Sequence, residues 1–279
     1  MVDTPHSQYQ VTIVKYGTRS TRKSDVYLNF PLYHEDDEPI GMDYFFWILQ
    51  GKDRTVVVDT GFSRRGGEVR SRTSLADVSE LFSAFGVDPL SGPDVVVTHA
   101  HYDHIGNLSL FANSRVIMAR AEFDFWSSRH AGRTMFHHSV EDDELDYLRR
   151  VNDDGRLVLF DDGFDVAPGI SVMRVGGHTP GQSVVRVDTS EGVVLLASDA
   201  IHYYEEYERD MLFMSVADLV AMYEGFDQIR ELVSGGDVAH LVSGHDPDTL
   251  SRFTRAIGGY SHLAATIGTL DGASRGIGS

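Results

Sequence analysis

Apolar runs rich in β-branched and aromatic residues at 11–16, 44–49 and 55–58 predict strands. A helical period follows at 74–85. Leu75, Val78, Leu81, Phe82 and Phe85 recur on one face, and Ser74 with Asp77 has capping-box spacing. The apolar run at 94–98 reads as a buried strand, 116–118 as a short strand and 121–129 as a helix. A second group of strands is expected at 169–174, 183–187 and 193–197. Ser215 with Asp218 then opens a long helix whose inward face is read as Leu219, Val220, Tyr223, Phe226, Ile229 and Leu232. The last strand falls at 239–242. This order predicts an α/β fold of two packed β-sheets with helices outside. No linker-like stretch divides the chain. Residues 1–279 are therefore expected to form a single domain, with its core at about residues 10–265 and a Gly- and Ser-rich tail at 268–279 that frays.

Composition narrows the chemistry. Hydrophobic residues make up 42% of the 279, enough for a substantial core. There is no cysteine, so disulfides, thiolate catalysis and cysteine metal ligands are excluded. The formal net charge of −18 repels a polyanion and no basic stripe appears, so no nucleic-acid partner is expected. Residues 1–10 are polar, without the apolar stretch of a signal peptide, and no segment reaches the roughly 20 apolar residues of a membrane span. A cytoplasmic protein without membrane association, monomer or homodimer, is the expectation.

Candidate chemistry concentrates directly after the strand at 94–98, in His99-Ala100-His101-Tyr102-Asp103-His104. Imidazole and carboxylate are the standard nitrogen and oxygen ligands of zinc-like ions. His99 and His101, two apart, share one face of an extended segment. Burying this many polar groups without a partner would be costly. Three further polar positions, His178, Asp199 and His245, also follow apolar strand-like runs, and strand carboxyl ends are where open α/β sheets place their sites.

The run His99 to His104 resembles the H-x-H-x-D-H signature of the metallo-β-lactamase superfamily. Val58-Asp59-Thr60-Gly61, Gly176-Gly177-His178-Thr179-Pro180-Gly181, Ser198-Asp199-Ala200 and Ser243-Gly244-His245-Asp246 resemble its other segments, in family order. Within the superfamily the chain is most similar to the N-acyl homoserine lactonases that quench quorum sensing. The resemblance implies the αβ/βα sandwich and two divalent metal ions, zinc first, with manganese or iron as alternatives. It implies that His99, His101 and His178 hold one ion, that Asp103, His104 and His245 hold the other, and that Asp199 bridges them. Asp59 would accept backbone hydrogen bonds beneath the metal loop. The implied reaction is hydrolysis of a small lactone or ester by a hydroxide shared between the metals, with Asp103 also serving catalysis. A glyoxalase II-like thioesterase is the alternative. It is weakened by a short segment after His245 in which Arg252, Arg255 and Arg275 are the only basic residues other than His262. A β-lactamase or a non-catalytic binding module would be a more distant reading.

One position departs from the lactonase pattern. Three residues after the bridging aspartate, where relatives carry a tyrosine, this chain has His202, followed by Tyr203 and Tyr204. Either the imidazole of His202 or the phenol of Tyr203 would then serve the reacting carbonyl, or the substrate differs. Residues 135–138 and 203–214, rich in Met, aromatic and His residues, are expected to line an apolar pocket. His137 and His138 are not expected to be ligands.

Overall fold

The computed structural model describes residues 8–270. Among the described residues, fourteen strands and their connections make two sheets. In chain order the strands are β1 Gln10–Arg22, β2 Pro39–Gln50, β3 Thr55–Val58, β4 Thr73–Ser74, β5 Asp94–Val96, β6 Val116–Ala119 and β7 Leu157–Phe160. They continue with β8 Gly163–Ala167, β9 Ile170–Arg174, β10 Ser183–Thr189, β11 Gly192–Ser198, β12 His240–Ser243, β13 Thr254–Arg255 and β14 Ala264–Ile267. The larger sheet has the order β13-β14-β1-β2-β3-β5-β6-β7, with β4 on β1. The smaller has the order β12-β11-β10-β9-β8.

The two-residue period of strands sorts their side chains into layers. Ile13, Phe45, Trp47, Val56, Val58 and Val96 of the larger sheet meet Val172, Val185, Val187, Val194, Leu196 and Val242 of the smaller in one buried layer. The alternate residues Val14, Phe46, Ile48, Val57 and Val95 face outward against helices, including Val78–Ala84 and Asp142–Asp153. On the far face of the smaller sheet, Val184, Leu195 and Ala197 pack on Met222, Phe226 and Ile229 of the helix Leu219–Ser234. This is the expected sandwich, with helices on both outer faces.

Element positions hold better than element edges. The helix expected at 74–85 spans Val78–Ala84, because the Asp77 carboxylate caps it by accepting from the Ser79 and Glu80 amides. Ser74 instead lies in β4, and Leu75 is 37% exposed rather than on the buried face. The long helix likewise starts after Asp218, which caps Val220 and Ala221. Leu219, Val220 and Tyr223, read as inward, face solvent, and Met222 takes the inner position. Phe226 and Ile229 are buried as expected, so the misreading is confined to the first five residues of the helix. Strands β7, β8 and β14 and the helix Asp142–Asp153 add to the expected set. β14 pairs with β1 and buries Ile267, so the packed body runs past residue 265. The end of the expected frayed tail, 271–279, lies outside the described residues.

Candidate metal centre

β5 ends at Val96, and the chain leaves the sheet through Thr98 to His101 before the helical turn Tyr102–Ile105. His99 and His101 therefore precede the turn, while Asp103 and His104 lie on it. Gly106 is required for its size: a Cβ there would lie 2.2 Å from the Ser63 amide nitrogen and 2.7 Å from the Tyr102 carbonyl oxygen. His178 lies in the loop after β9, Asp199 follows β11, and His245 follows β12. Parallel pairing of β11 with β12 brings the last two together.

The seven side chains converge and are buried. In each of four sets, the possible ligand atoms lie within 4.8 Å of one another: His99, His101 and His178; Asp103, His104 and His245; His99, His104 and Asp199; and His178, Asp199 and His202. Asp199 joins them. Its Oδ1 lies 3.2 Å from His104 Nε2 and 3.1 Å from His245 Nε2. Its Oδ2 lies 3.4 Å from His178 Nε2 and 3.7 Å from His99 Nε2.

The far edges of the rings are tied down. His104 Nδ1 donates to Asp59 Oδ2 at 2.7 Å, His178 Nδ1 to the Ser215 carbonyl at 2.7 Å, and His245 Nδ1 to the Asp43 carbonyl at 2.7 Å. Each such bond fixes the tautomer that leaves Nε2 free to ligate. Asp59, held at positive φ, also accepts from the Thr98 amide at 2.8 Å and the Thr98 hydroxyl at 2.7 Å, beneath the metal loop. His99 Nε2, His104 Nε2, His202 Nε2 and Asp199 Oδ1 are buried without a hydrogen-bond partner among the described residues. Orphaned polar atoms aimed at one point are otherwise expensive. This donor set, all nitrogen and oxygen, fits two divalent cations.

Electrostatics agree. Burial, reinforced by neighbouring imidazoles, drives His99 and His101 well below the usual histidine range and holds His178 at about 3, so these rings are neutral as ligands must be. Burial also opposes charge on His104, but the carboxylates of Asp199, Asp59 and Asp103 outweigh it and raise its pKa well above normal. With Nδ1–H held by Asp59, the Nε2 proton is the one a cation would displace. Burial opposes charge on Asp199 too, yet the imidazoles around it keep its carboxyl well below the carboxylate range.

His202 and Tyr203 take different places. His202 is fully buried, with Nε2 3.2 Å from Asp199 Oδ2, Nδ1 3.1 Å from Glu206 Oε2, and its ring stacked on Phe213 at 3.8 Å. Burial works against its charge, but Glu206 and Asp199 raise its pKa to about 9. The Tyr203 hydroxyl donates to the Gly41 carbonyl at 3.1 Å, and its ring packs on Tyr27. Neither His202 nor Tyr203 lines the cavity beside this cluster, so the expectation that one of them would serve the reacting carbonyl directly is corrected.

That cavity, about 570 Å³, has Asp199, Asp103, His101 and His178 at its base and Met42, Phe125, Trp126, Met135, Phe136, Phe213 and Met214 on its apolar walls. From the two segments expected to line it, residues 135, 136 and 138 and residues 213 and 214 do so. His137 points away and meets Asp142 at 3.0 Å.

Two buried carboxylates that hold the site's segments, Glu206 and Glu122, are not marked by the sequence. Glu206 accepts from the His202 amide at 2.7 Å and the Phe213 amide at 2.9 Å. Glu122 accepts from the Ala100 amide at 2.9 Å, Trp126 Nε1 at 2.8 Å and the Gly181 amide at 2.9 Å, tying the His99–His101 segment to the His178 loop. Gly181 leaves it room, since a Cβ there would lie 2.3 Å from Glu122 Cβ. Four-residue spacing from His202 and from Trp126 was the available signal, and it is common in helices.

The family model of the metallo-beta-lactamase superfamily matches residues 42–245. An N-acyl homoserine lactonase of Bacillus sp is 23% identical over 211 residues, which cover 70% of this chain and 78% of that protein. The N-acyl homoserine lactonase of Agrobacterium fabrum is 29% identical over 183 residues, covering 63% and 66%. A solved N-acyl homoserine lactone hydrolase, with the product N-hexanoyl-L-homoserine at its catalytic metal centre, shares the fold at a TM-score of 0.73 and 17% identity, over 88% of this chain and 96% of that chain. The dizinc quorum-quenching lactonase AidC, also with a product bound, gives 0.70 at 17% identity, over 87% and 89%. With most of its length matched by the family model and the two-sheet architecture in place, this chain belongs to the metallo-beta-lactamase superfamily.

Proposed function

We propose that the protein is a dinuclear metal-dependent hydrolase that opens a lactone ring. The observation that carries this reading is the pair of ligand triads joined through Asp199 at the base of an apolar-walled cavity. The names of the relatives, N-acyl homoserine lactonases, support the lactone as substrate class. His99, His101 and His178 would hold one ion, Asp103, His104 and His245 the other, and Asp199 both. When bound, two such ions lower the pKa of water and polarise a carbonyl, zinc being the first choice for this donor set.

The chain's own groups do the rest. The apolar walls hold the substrate and exclude bulk water from the carbonyl, which strengthens every charge interaction at the base. Water adds to the carbonyl carbon and the acyl–oxygen ring bond breaks. Asp103, which faces the cavity, takes the proton of the adding water on its carboxylate and returns it to the departing ring oxygen. The product is a hydroxy acid, which ionises and releases one proton. His202 does not line the cavity. It acts through Asp199 by the charge it sets 3.2 Å from Oδ2, while Glu206 holds His202. It is a positioning residue in this scheme.

The test is a pH-indicator assay over acyl homoserine lactones of short and long chain, aromatic lactones, thioesters and a β-lactam, with and without added metal. Metal-dependent proton release from at least one lactone is expected. Turnover of thioesters with every lactone inert would replace the lactone by a thioester and favour the glyoxalase II-like alternative.

A further inference from the structure

Three arginines line the cavity, and two of them have no acidic partner. Arg70 is fully engaged. It pairs with Glu141 at 2.6 Å, donates to the His138 and Val140 carbonyls, and lies 4.1 Å from the Tyr102 ring centre. Arg19 and Arg72 differ: among the described residues neither makes an ion pair, and both are half-buried in the cavity wall. Arg19 stands on the part of β1 that pairs with Met42 of β2, and its Nε points at Met42 Sδ, 3.3 Å away. Arg72 donates through Nε to the Tyr102 hydroxyl at 3.0 Å and through Nη1 to the Arg70 carbonyl at 2.7 Å. These contacts fix both stems and leave Nη1 and Nη2 of Arg19 and Nη2 of Arg72 without a protein partner.

The chain carries 42 acidic residues against 24 basic, so two arginines without an ion-pair partner on the wall of a cavity whose carboxylates, Asp103 and Asp199, lie at its base are a local excess of positive charge. Guanidinium groups held by their inner nitrogens present their outer ones to a planar anion. A purely apolar acyl chain uses neither. We propose that the substrate carries a carboxylate besides its scissile carbonyl, and that Arg19 and Arg72 select it while the metal centre holds the reacting group. The hydrolysed product would then be a hydroxy dicarboxylic acid, and the reaction that consumes it would be one that acts on such an acid. This inference rests on the lactone reading for the bond that is cut, but not for the anion it recognises.

The experiment compares 5-oxotetrahydrofuran-2-carboxylate with its uncharged carboxamide on the zinc-loaded full chain. Specificity is read as the ratio of the two kcat/KM values in the parent, Arg19→Gln and Arg72→Gln, with metal content checked in each. A ratio of about ten or more is expected in the parent, falling towards one in either variant and at high salt. Arg19→Lys, which keeps the charge and loses the fork, should be intermediate and serves if a glutamine variant does not fold. A parent ratio near or below one overturns the inference while the lactone reading stands. If neither compound is hydrolysed, the lactone reading is at fault, and calorimetric binding of the two compounds decides this one. Tighter binding of the carboxylate by about tenfold, lost in Arg19→Gln, upholds it, and equal binding overturns it.

Discussion

Asp199 is the residue on which the centre turns, because both its oxygens face imidazole nitrogens and Oδ2 also faces His202. Partners behind a metal ligand typically govern metal affinity or activity by about 10–100-fold. His202→Ala is therefore expected to lower turnover by roughly that factor with little change in KM, and His202→Gln to recover part of it. Equal loss in both with a collapsed melting temperature would mean that the ring only fills space under Phe213. The sequence singled out the candidate ligands because His99, His178, Asp199 and His245 follow apolar runs and because all seven lie in segments that resemble the family's. It also pointed to Asp59, whose oxygens meet Thr98 and His104. It did not show which of His202 and Tyr203 approaches Asp199. That depends on how the segment after β11 turns, and the Gly41 carbonyl that receives the Tyr203 hydroxyl is 162 residues away.

Between elements, buried carboxylates act as ties. Glu122, on the helix Arg120–Trp126, holds two ligand loops through three donors. Glu122→Gln turns one acceptor oxygen into an amide donor against an N–H, which should cost about 1–3 kcal/mol in urea unfolding and loosen metal binding. A variant as stable and as metal-rich as the parent would contradict this role. Glu144 joins two helices differently. It accepts from the Ser63 hydroxyl at 2.7 Å, and that same hydroxyl oxygen caps Gly66. Burial raises its pKa to about 7 from an ordinary value of 4.5. The folded chain therefore holds this proton more tightly than the unfolded one. The stability it contributes is complete below about 4.5 and is lost as pH rises through about 7. Glu144→Gln should remove this fall, on the order of 1–3 kcal/mol between pH 5 and pH 8. Unfolding curves of parent and variant that stay parallel across that range would contradict it. At this scale the sequence placed most elements, since strand and helix periods are local. It misread Leu219, Val220 and Tyr223, where the outer face of a long helix is itself apolar.

For the molecule as a whole, the sandwich follows from alternation: each central strand sends one set of side chains between the sheets and the other towards helices. Trp47 is fully buried between the sheets, and Trp47→Ala is expected to cost about 3–5 kcal/mol, measured by denaturant unfolding. The sequence conveyed this layering without the partners of each strand. The antiparallel return of β14 onto β1 joins residues 250 or more positions apart and has no local signature. Similarly, the cavity is assembled from segments spread between residues 19 and 217, so its apolar walls and its two unpaired arginines appear only once the sheets are packed.

The most direct test of the account is a metal titration. The chain is stripped with a chelator, zinc is added back in known equivalents, and lactone opening is followed by proton release alongside bound metal. Activity is expected to be absent without metal and to level off at two ions per chain, and His178→Ala and Asp199→Ala should fail to reach it. Full lactone turnover by the stripped chain, or turnover indifferent to His178 and Asp199, would contradict the account.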